Sequence, residues 1–131
     1  MGENLKNRPQ ELTKAELEIM QVIWQKEKVL IHDILAELPE PKPAYNTIST
    51  IVRILENKGF VSHKAYGRTH EYFAVVAKED YTSTYMHTVL DNFFDGSISR
   101  MVNFFSAQKS ISLEETDEIM RILNSTGETE Q

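Results

Sequence analysis

Residues 43–59 read PAYNTISTIVRILENKG, and the fold follows from how this stretch is read. With residues set 100° apart, Ile48, Ile51, Val52 and Leu55 gather in one narrow apolar sector, while Asn46, Ser49, Thr50, Arg53 and Asn57 crowd the opposite side. One face packs and the other faces out. A solvated helix face usually carries Glu and Lys pairs, whereas this one offers amides, hydroxyls and a guanidinium, groups that meet base edges and phosphates. An amphipathic helix with an uncharged polar face and no partner has the same pattern, so the flanking segments must decide between the two. The end of the helix is marked by Lys58 and Gly59, a cation near the carboxyl end and a residue that tolerates left-handed backbone. Its start is weakly signalled, because Ala44 has no side chain to cap it.

Upstream, Thr13 and Glu16 form a T-x-x-E capping box, which starts a helix near Lys14. Leu17, Met20, Ile23 and Trp24 give it a core stripe that Ile19 and Val22 widen. Trp24 is read as a core anchor. Val29 and Leu30 suit a short strand, and Ile31, Ile34, Leu35 and Leu38 stripe a second, shorter helix. Pro39, Pro41 and Pro43 end it. The P-x-P-x-P run reads as a stiff connector that aims the next helix, with a proline-rich ligand for an aromatic groove as the alternative.

Downstream, the period changes. FVSHKAY (60–66) and HEYFAVV (70–76) are rich in strand formers and flank Gly67-Arg68-Thr69, where Gly67 can supply the positive φ of a hairpin tip. Three helices followed by a hairpin is the winged helix-turn-helix order. On it, Asn46, Ser49, Thr50 and Arg53 are the candidate base contacts, and Tyr45, Lys64, Arg68 and His70 the candidate phosphate contacts.

Three more helical patterns follow. Met86, Val89, Leu90 and Phe93 stripe a helix beginning near Glu79 or Asp80 and stopping before Gly96; Ile98, Met101, Val102 and Phe105 stripe the next. Ser112 and Glu115 make a second capping box ahead of Leu113, Thr116, Met120 and Leu123. Three short helices bury little apolar surface alone, yet these carry Phe93, Phe94, Phe104 and Phe105. A homodimer in which two such arms interlock solves this, through Met86, Leu90 and Phe93 on the first helix, Met101 and Phe105 on the second, and Met120 and Leu123 on the third. The alternative is that the arm folds back on its own chain. The expected organisation is a flexible leader (1–11), a winged helix (12–77), a helical dimerisation region (78–124) and a disordered tail (125–131). The class is mostly α with a small β-hairpin.

Composition narrows the function. The 131 residues are 40% hydrophobic and 26% charged with a net charge of −6, which suits one compact domain, or one small domain plus an appended module. The charge is uneven. Residues 1–78 hold 11 Lys/Arg against 10 Asp/Glu, and residues 79–131 hold 3 against 10. A near-neutral amino-terminal part can present a local basic edge to phosphates, while the acidic carboxy-terminal part is repelled by them. There is no apolar run of membrane-spanning length and no secretory pattern, so a soluble cytoplasmic protein without membrane insertion is expected. With no cysteine, disulfides, thiolate metal sites and cysteine nucleophiles are excluded together. No cofactor is implied.

Read together, LTKAELEIMQVIW (12–24), AYNTISTIVRILENKGFV (44–61), GRTHEYF (67–73) and MVNFF (101–105) resemble the BlaI/MecI/CopY family of bacterial repressors, which includes the penicillinase repressors. The resemblance runs from Leu12 to about Leu123. It implies a dimeric repressor on a palindromic operator, with the winged helix on double-stranded DNA and the carboxy-terminal helices as the dimer clamp. By similarity to the penicillinase branch, repression is relieved when a membrane sensor protease detects a β-lactam and the repressor is cut. The family's Asn-Phe cleavage bond falls here on Asn103 and Phe104. Two departures stand out. Where penicillinase repressors tend to carry basic residues on the recognition helix this chain has Asn46 and Ser49, and it lacks the cysteines through which the copper-responsive branch takes metal.

Two other classes compete. Winged helices also serve as protein-interaction modules, and the acidic net charge suits one. An enzyme finds little support: His32, His63, His70 and His87 lack H-x-x-x-H spacing, there is no glycine-rich phosphate loop, and Asp33, Asp80, Asp91 and Asp95 form no recognisable metal set. A metal held between His63 and His70, on opposite strands of the hairpin, is the remaining version of that idea.

Overall fold

A computed structural model describes residues 11–130, with side chains to Ser125, so the leader expected over 1–11 lies outside the described residues apart from Glu11. Helix α1 spans Lys14–Lys26, strand β1 Lys28–Val29, α2 Ile31–Glu37, α3 Tyr45–Asn57, β2 Val61–Tyr66, β3 Thr69–Ala74, α4 Lys78–Phe93, α5 Ile98–Ala107 and α6 Leu113–Glu130. The strands form one antiparallel sheet in the order β1-β3-β2. The chain is a winged helix-turn-helix followed by further helices, and the expected hairpin gains β1 as a third strand. Two compact units divide between Met86 and His87, inside α4. The change of sequence pattern at Ala77 precedes that division because Tyr81, in the first turns of α4, is itself part of the core of the first unit.

Each boundary in the first unit has a local cause. Thr13 Oγ1 accepts from the Glu16 N–H at 3.2 Å and Glu16 Oε1 from the Thr13 N–H at 2.9 Å, closing the capping box of α1. At α2 the Asp33 carboxylate accepts from the Leu30 N–H at 2.9 Å. Lys42 Nζ donates to the carbonyls of Leu35, Ala36 and Leu38 at 2.9, 3.2 and 2.7 Å, satisfying the end of α2 from within the proline-rich connector. Helix α3 ends in a Schellman motif: the Phe60 N–H donates to the Leu55 carbonyl at 2.9 Å and the Gly59 N–H to Glu56 at 3.1 Å, with Gly59 at φ +87°. The hairpin turn is Gly67–Arg68 alone, tighter than the three residues expected, because Thr69 already pairs with Tyr66. Gly67 takes φ +64°, the demand of the first position of a type II′ turn.

The core of this unit gathers Ile19, Met20 and Ile23 of α1, Ile34 of α2, Ile48, Val52 and Leu55 of α3, and Phe60. Trp24 packs at its margin and donates from Nε1 to the Val76 carbonyl at 2.9 Å, anchoring α1 to the chain beyond β3. Among these apolar groups lies one charge pair. Glu16, 5% exposed, receives Lys58 Nζ at 2.9 Å on both carboxylate oxygens. Burial pushes the Glu16 carboxyl up, but the Thr13 N–H and the Lys58 ammonium pull it down further, and it ends below its ordinary value. A carboxylate lowered in the folded state stabilises the fold above its ordinary range, and that contribution fades as acid protonates it. Thermal melting between about pH 5 and pH 3 should therefore show a decline in Tm that Glu16→Gln, less stable at neutral pH, makes shallower.

In the second unit, the Ser112–Glu115 capping box closes at 3.1 and 3.3 Å and Ser97 caps α5 by accepting from the Arg100 N–H at 3.1 Å. The stretch expected as a disordered tail from residue 125 continues α6 to Glu130 instead; a strongly polar sequence can still extend a helix that the Ser112 box has nucleated. Phe94 and Phe104 meet edge to face at 5.6 Å, and Phe104 and Phe105 at 5.4 Å. No residue of α5 is buried.

Candidate nucleic-acid interface

Helix α3 separates its faces as the sequence requires. Ile48, Val52 and Leu55 are 1%, 0% and 0% exposed, while Asn46, Thr50 and Arg53 are exposed and Ser49 half-buried. The apolar sector fixes the roll of the helix, and the roll sends the polar side chains outward. Thr50 Oγ1 donates to the Asn46 carbonyl at 2.9 Å, so that hydroxyl offers its lone pairs rather than its proton.

Beside this face an open cleft of about 340 Å³ is lined by Tyr45, Ser49 and Arg53 of α3, Arg68, Thr69, His70 and Tyr72 of the wing, and Leu30, Ile31 and His32 at the start of α2. It brings together five of the eight sequence-predicted contacts: Tyr45, Ser49, Arg53, Arg68 and His70. Asn46 and Thr50 are exposed but do not line it. Lys64 is turned away as well, with Nζ 5.4 Å from the Tyr66 ring centroid, because residues 64 and 66 occupy the face of β2 opposite to His63. Among the polar groups of the cleft, sequence reading missed Thr69, Tyr72 and, from α2, His32. The His32 ring lies 5.0 Å from that of Tyr45, and its signal was available only as an exposed position at the start of the α2 stripe.

The electrostatics are mixed. Arg53 and Arg68 are the cations lining the cleft, and Glu56, one turn on from Arg53, is occupied by His63 Nδ1 at 2.6 Å. Burial raises the Tyr72 phenol above its ordinary value, with Glu56 adding to that and Arg53 opposing it. The arrangement can accept an anionic, hydrogen-bonding chain along the cleft and offers base-edge groups beside it. Nothing in it forms a nucleophile with an adjacent base, and among the described residues no group of three or more His, Asp or Glu side chains is placed to hold a metal ion.

The predicted interface residues, Met86 at the end of the first unit and the rest in the second, fall into two groups. Met86, Phe93, Phe105, Met120 and Leu123 are 38%, 75%, 40%, 52% and 56% exposed, and Met101 is half-buried. Leu90, at 8%, is already buried, so it is not a free apolar contact as expected. Asn103 and Phe104 sit in the middle of α5, both exposed.

A penicillinase repressor family model matches residues 12–125. The penicillinase repressor of Bacillus licheniformis is 32% identical over 120 residues, covering 91% of this chain and 93% of that protein. The methicillin resistance regulatory protein MecI of Staphylococcus aureus is 27% identical over 119 residues, covering 90% and 97%. The solution structure of the DNA binding domain of the repressor BlaI is 29% identical with a TM-score of 0.49, covering 56% of this chain and 92% of that one. Among the described residues no helix is long and apolar enough to cross a membrane.

Proposed function

Because the chain belongs to the penicillinase repressor family, whose members are DNA-binding repressors and not enzymes, we propose that it acts in the cytoplasm as a homodimeric repressor on a palindromic operator. The observation that carries this is the division of α3 into a buried apolar sector of Ile48, Val52 and Leu55 and an outward face of Asn46, Ser49, Thr50 and Arg53, set beside a wing whose Arg68 and His70 share its cleft. In this reading α3 enters the major groove. Asn46 and Arg53 pair with adenine and guanine, Ser49 accepts or donates and Thr50 accepts at adjoining edges, Tyr45, Arg68 and His70 hold phosphates at the cleft, and Lys64 holds one from the opposite face of the hairpin.

Dimerisation is assigned to the second unit, supported by the apolar surface it leaves uncovered. Phe93, Leu113, Ile122 and Leu123 are each more than half exposed, and Ile98, Val102, Ile119 and Met120 line an apolar groove of about 220 Å³ between α5 and α6. Relief of repression is assigned to a membrane sensor protease cutting between Asn103 and Phe104. A protease needs an extended peptide, and α5, which buries none of its residues, is suited to open locally.

A gel shift with genomic fragments at two salt concentrations tests the whole. Retention of a subset of fragments, weakening steeply with salt, is expected. Uniform failure to retain DNA would instead favour a protein-interaction module. Within that assay Arg53→Ala should cost about 1 to 3 kcal/mol at the operator and relax base choice there, whereas Lys64→Ala should weaken all DNA alike and reduce the salt slope by about 1. Wild-type behaviour of both variants would reverse the assignment of faces.

A further inference from the structure

One hydroxyl on the outward face of α3 is committed within the helix itself. Thr50, an exposed residue, donates from Oγ1 to the Asn46 carbonyl one turn back, at 2.9 Å. Its Cβ bears two heavy atoms, so with the hydroxyl turned back on the helix the γ-methyl takes the other branch, clear of that carbonyl. Ser49 and Arg53 line the cleft shared with Arg68 and His70 of the wing, whereas Asn46 and Thr50 do not. These two form a separate strip of the outward face, one turn apart, where no group of the wing competes for what they meet.

We propose that Thr50 is a specificity-determining residue that reads the 5-methyl group of a thymine through its own γ-methyl. This rests on the DNA-binding reading above and goes beyond the acceptor role that Thr50 has in it. A free hydroxyl discriminates poorly in the major groove: it donates to the acceptors of guanine and thymine, and it accepts from the amino groups of adenine and cytosine. The bond to Asn46 withdraws the donor. What remains is the lone pairs, which adenine and cytosine satisfy alike, and the methyl. Of these only the methyl singles out one base, because thymine alone of the four carries a methyl at that edge. Bringing the two methyls together removes apolar surface from water and leaves no polar group of Thr50 without a partner, its proton being already bonded. The neighbours on α3 do not duplicate this. Ser49 has no methyl, and Thr47 stands about 100° round the helix from Asn46, off the strip.

The test uses the full chain and a duplex of about 30 base pairs, long enough for two half-sites, selected from a random-sequence pool. Each thymine in turn is replaced by deoxyuridine, which deletes the 5-methyl and keeps every hydrogen-bonding group. At one thymine of the half-site, wild-type affinity should fall roughly three- to fivefold, the worth of one buried methyl. Thr50→Ser keeps the hydroxyl without the methyl; it should bind the two duplexes equally, both as weakly as wild type binds the deoxyuridine one. Thr50→Val keeps a methyl without the hydroxyl and should still tell them apart, as should Thr47→Ser. Wild-type binding that no deoxyuridine weakens would overturn the inference. So would a Thr50→Ser protein that discriminates as wild type does, which would trace the preference to duplex shape, or a Thr50→Val protein that does not, which would trace it to the hydroxyl. In all three outcomes a preferred sequence has still been selected, so the DNA-binding reading stands. A pool that yields no preferred sequence removes that reading, and this inference with it.

Discussion

A chain ending at Asn103 is expected to bind an operator with two half-sites roughly 10²- to 10⁴-fold more weakly than the full chain, while binding a single half-site as the full chain does. The cut falls in the middle of α5. It removes α6, takes Phe104 away from Phe94, and removes Leu113, Met120 and Leu123, which are 83%, 52% and 56% exposed. In the proposed dimer these groups cover one another across copies. Without them, two half-site contacts no longer share a linkage, and the second must form from solution instead of within the bound complex. The winged helix is not touched: its core closes around Phe60 and Tyr81, both in the first unit. Sedimentation should report a monomer, and the melting of the first unit should be unchanged. A truncated chain that still sediments as a dimer, or that binds the two-site operator as tightly as before, would remove the clamp from the second unit.

The same experiment in the full chain uses Phe105→Asp together with Leu123→Asp. Two charges placed at exposed positions of α5 and α6 leave those helices intact but make the apolar surface costly to bury against a copy. Agreement between this variant and the truncation would separate loss of the interface from loss of chain.

The winged helix was legible because each of its decisions is local and strongly marked. The Thr13–Glu16 box, the Ile48–Val52–Leu55 sector and Gly67 each bind one backbone choice to one residue type, and the structure uses all of them. What escaped depends on pairings that no period encodes, some local and some between residues far apart in sequence. Lys42 capping α2 from the proline-rich connector, Lys58 reaching Glu16, and β1 pairing with β3 leave no periodic trace, since nothing in a hydropathy pattern says which cation will find which acceptor. The site divides the same way. Ser49 and Arg53 follow from the period of one helix and Arg68 from one turn. His32 enters the cleft only because α2 and α3 pack together, and Lys64 leaves it because alternation in a strand assigns it to the other face. Leu90 shows the limit for the second unit: its stripe was right, but a stripe does not say whether its own chain or a copy provides the cover.

Phe60→Ala should cost about 3 to 5 kcal/mol of stability, the largest single-residue effect expected in the chain. Phe60 is fully buried and stands at the junction between α3 and the wing. Its N–H closes the Schellman motif on Leu55, its carbonyl accepts from the N–H groups of Val75 and Val76 at 2.8 and 3.3 Å, and its ring meets Tyr81 edge to face at 5.7 Å. The main-chain bonds survive substitution by alanine; the ring does not, and the space it fills is bounded by elements that cannot all collapse inward at once. Urea unfolding should show the loss as a shifted midpoint with an unchanged slope. The functional consequence distinguishes this residue from others in the core. Because Phe60 connects the last turn of α3 to the first residue of β2, loosening it frees the wing relative to the recognition helix, and Arg68 and His70 no longer share a fixed cleft with Arg53. At temperatures where Phe60→Ala is still folded, DNA affinity should therefore fall further than for Met20→Ala, a fully buried change on α1 with no part in that junction. Equal binding by the two folded variants would mean that the wing is held in place by the sheet and the Glu56–His63 contact alone.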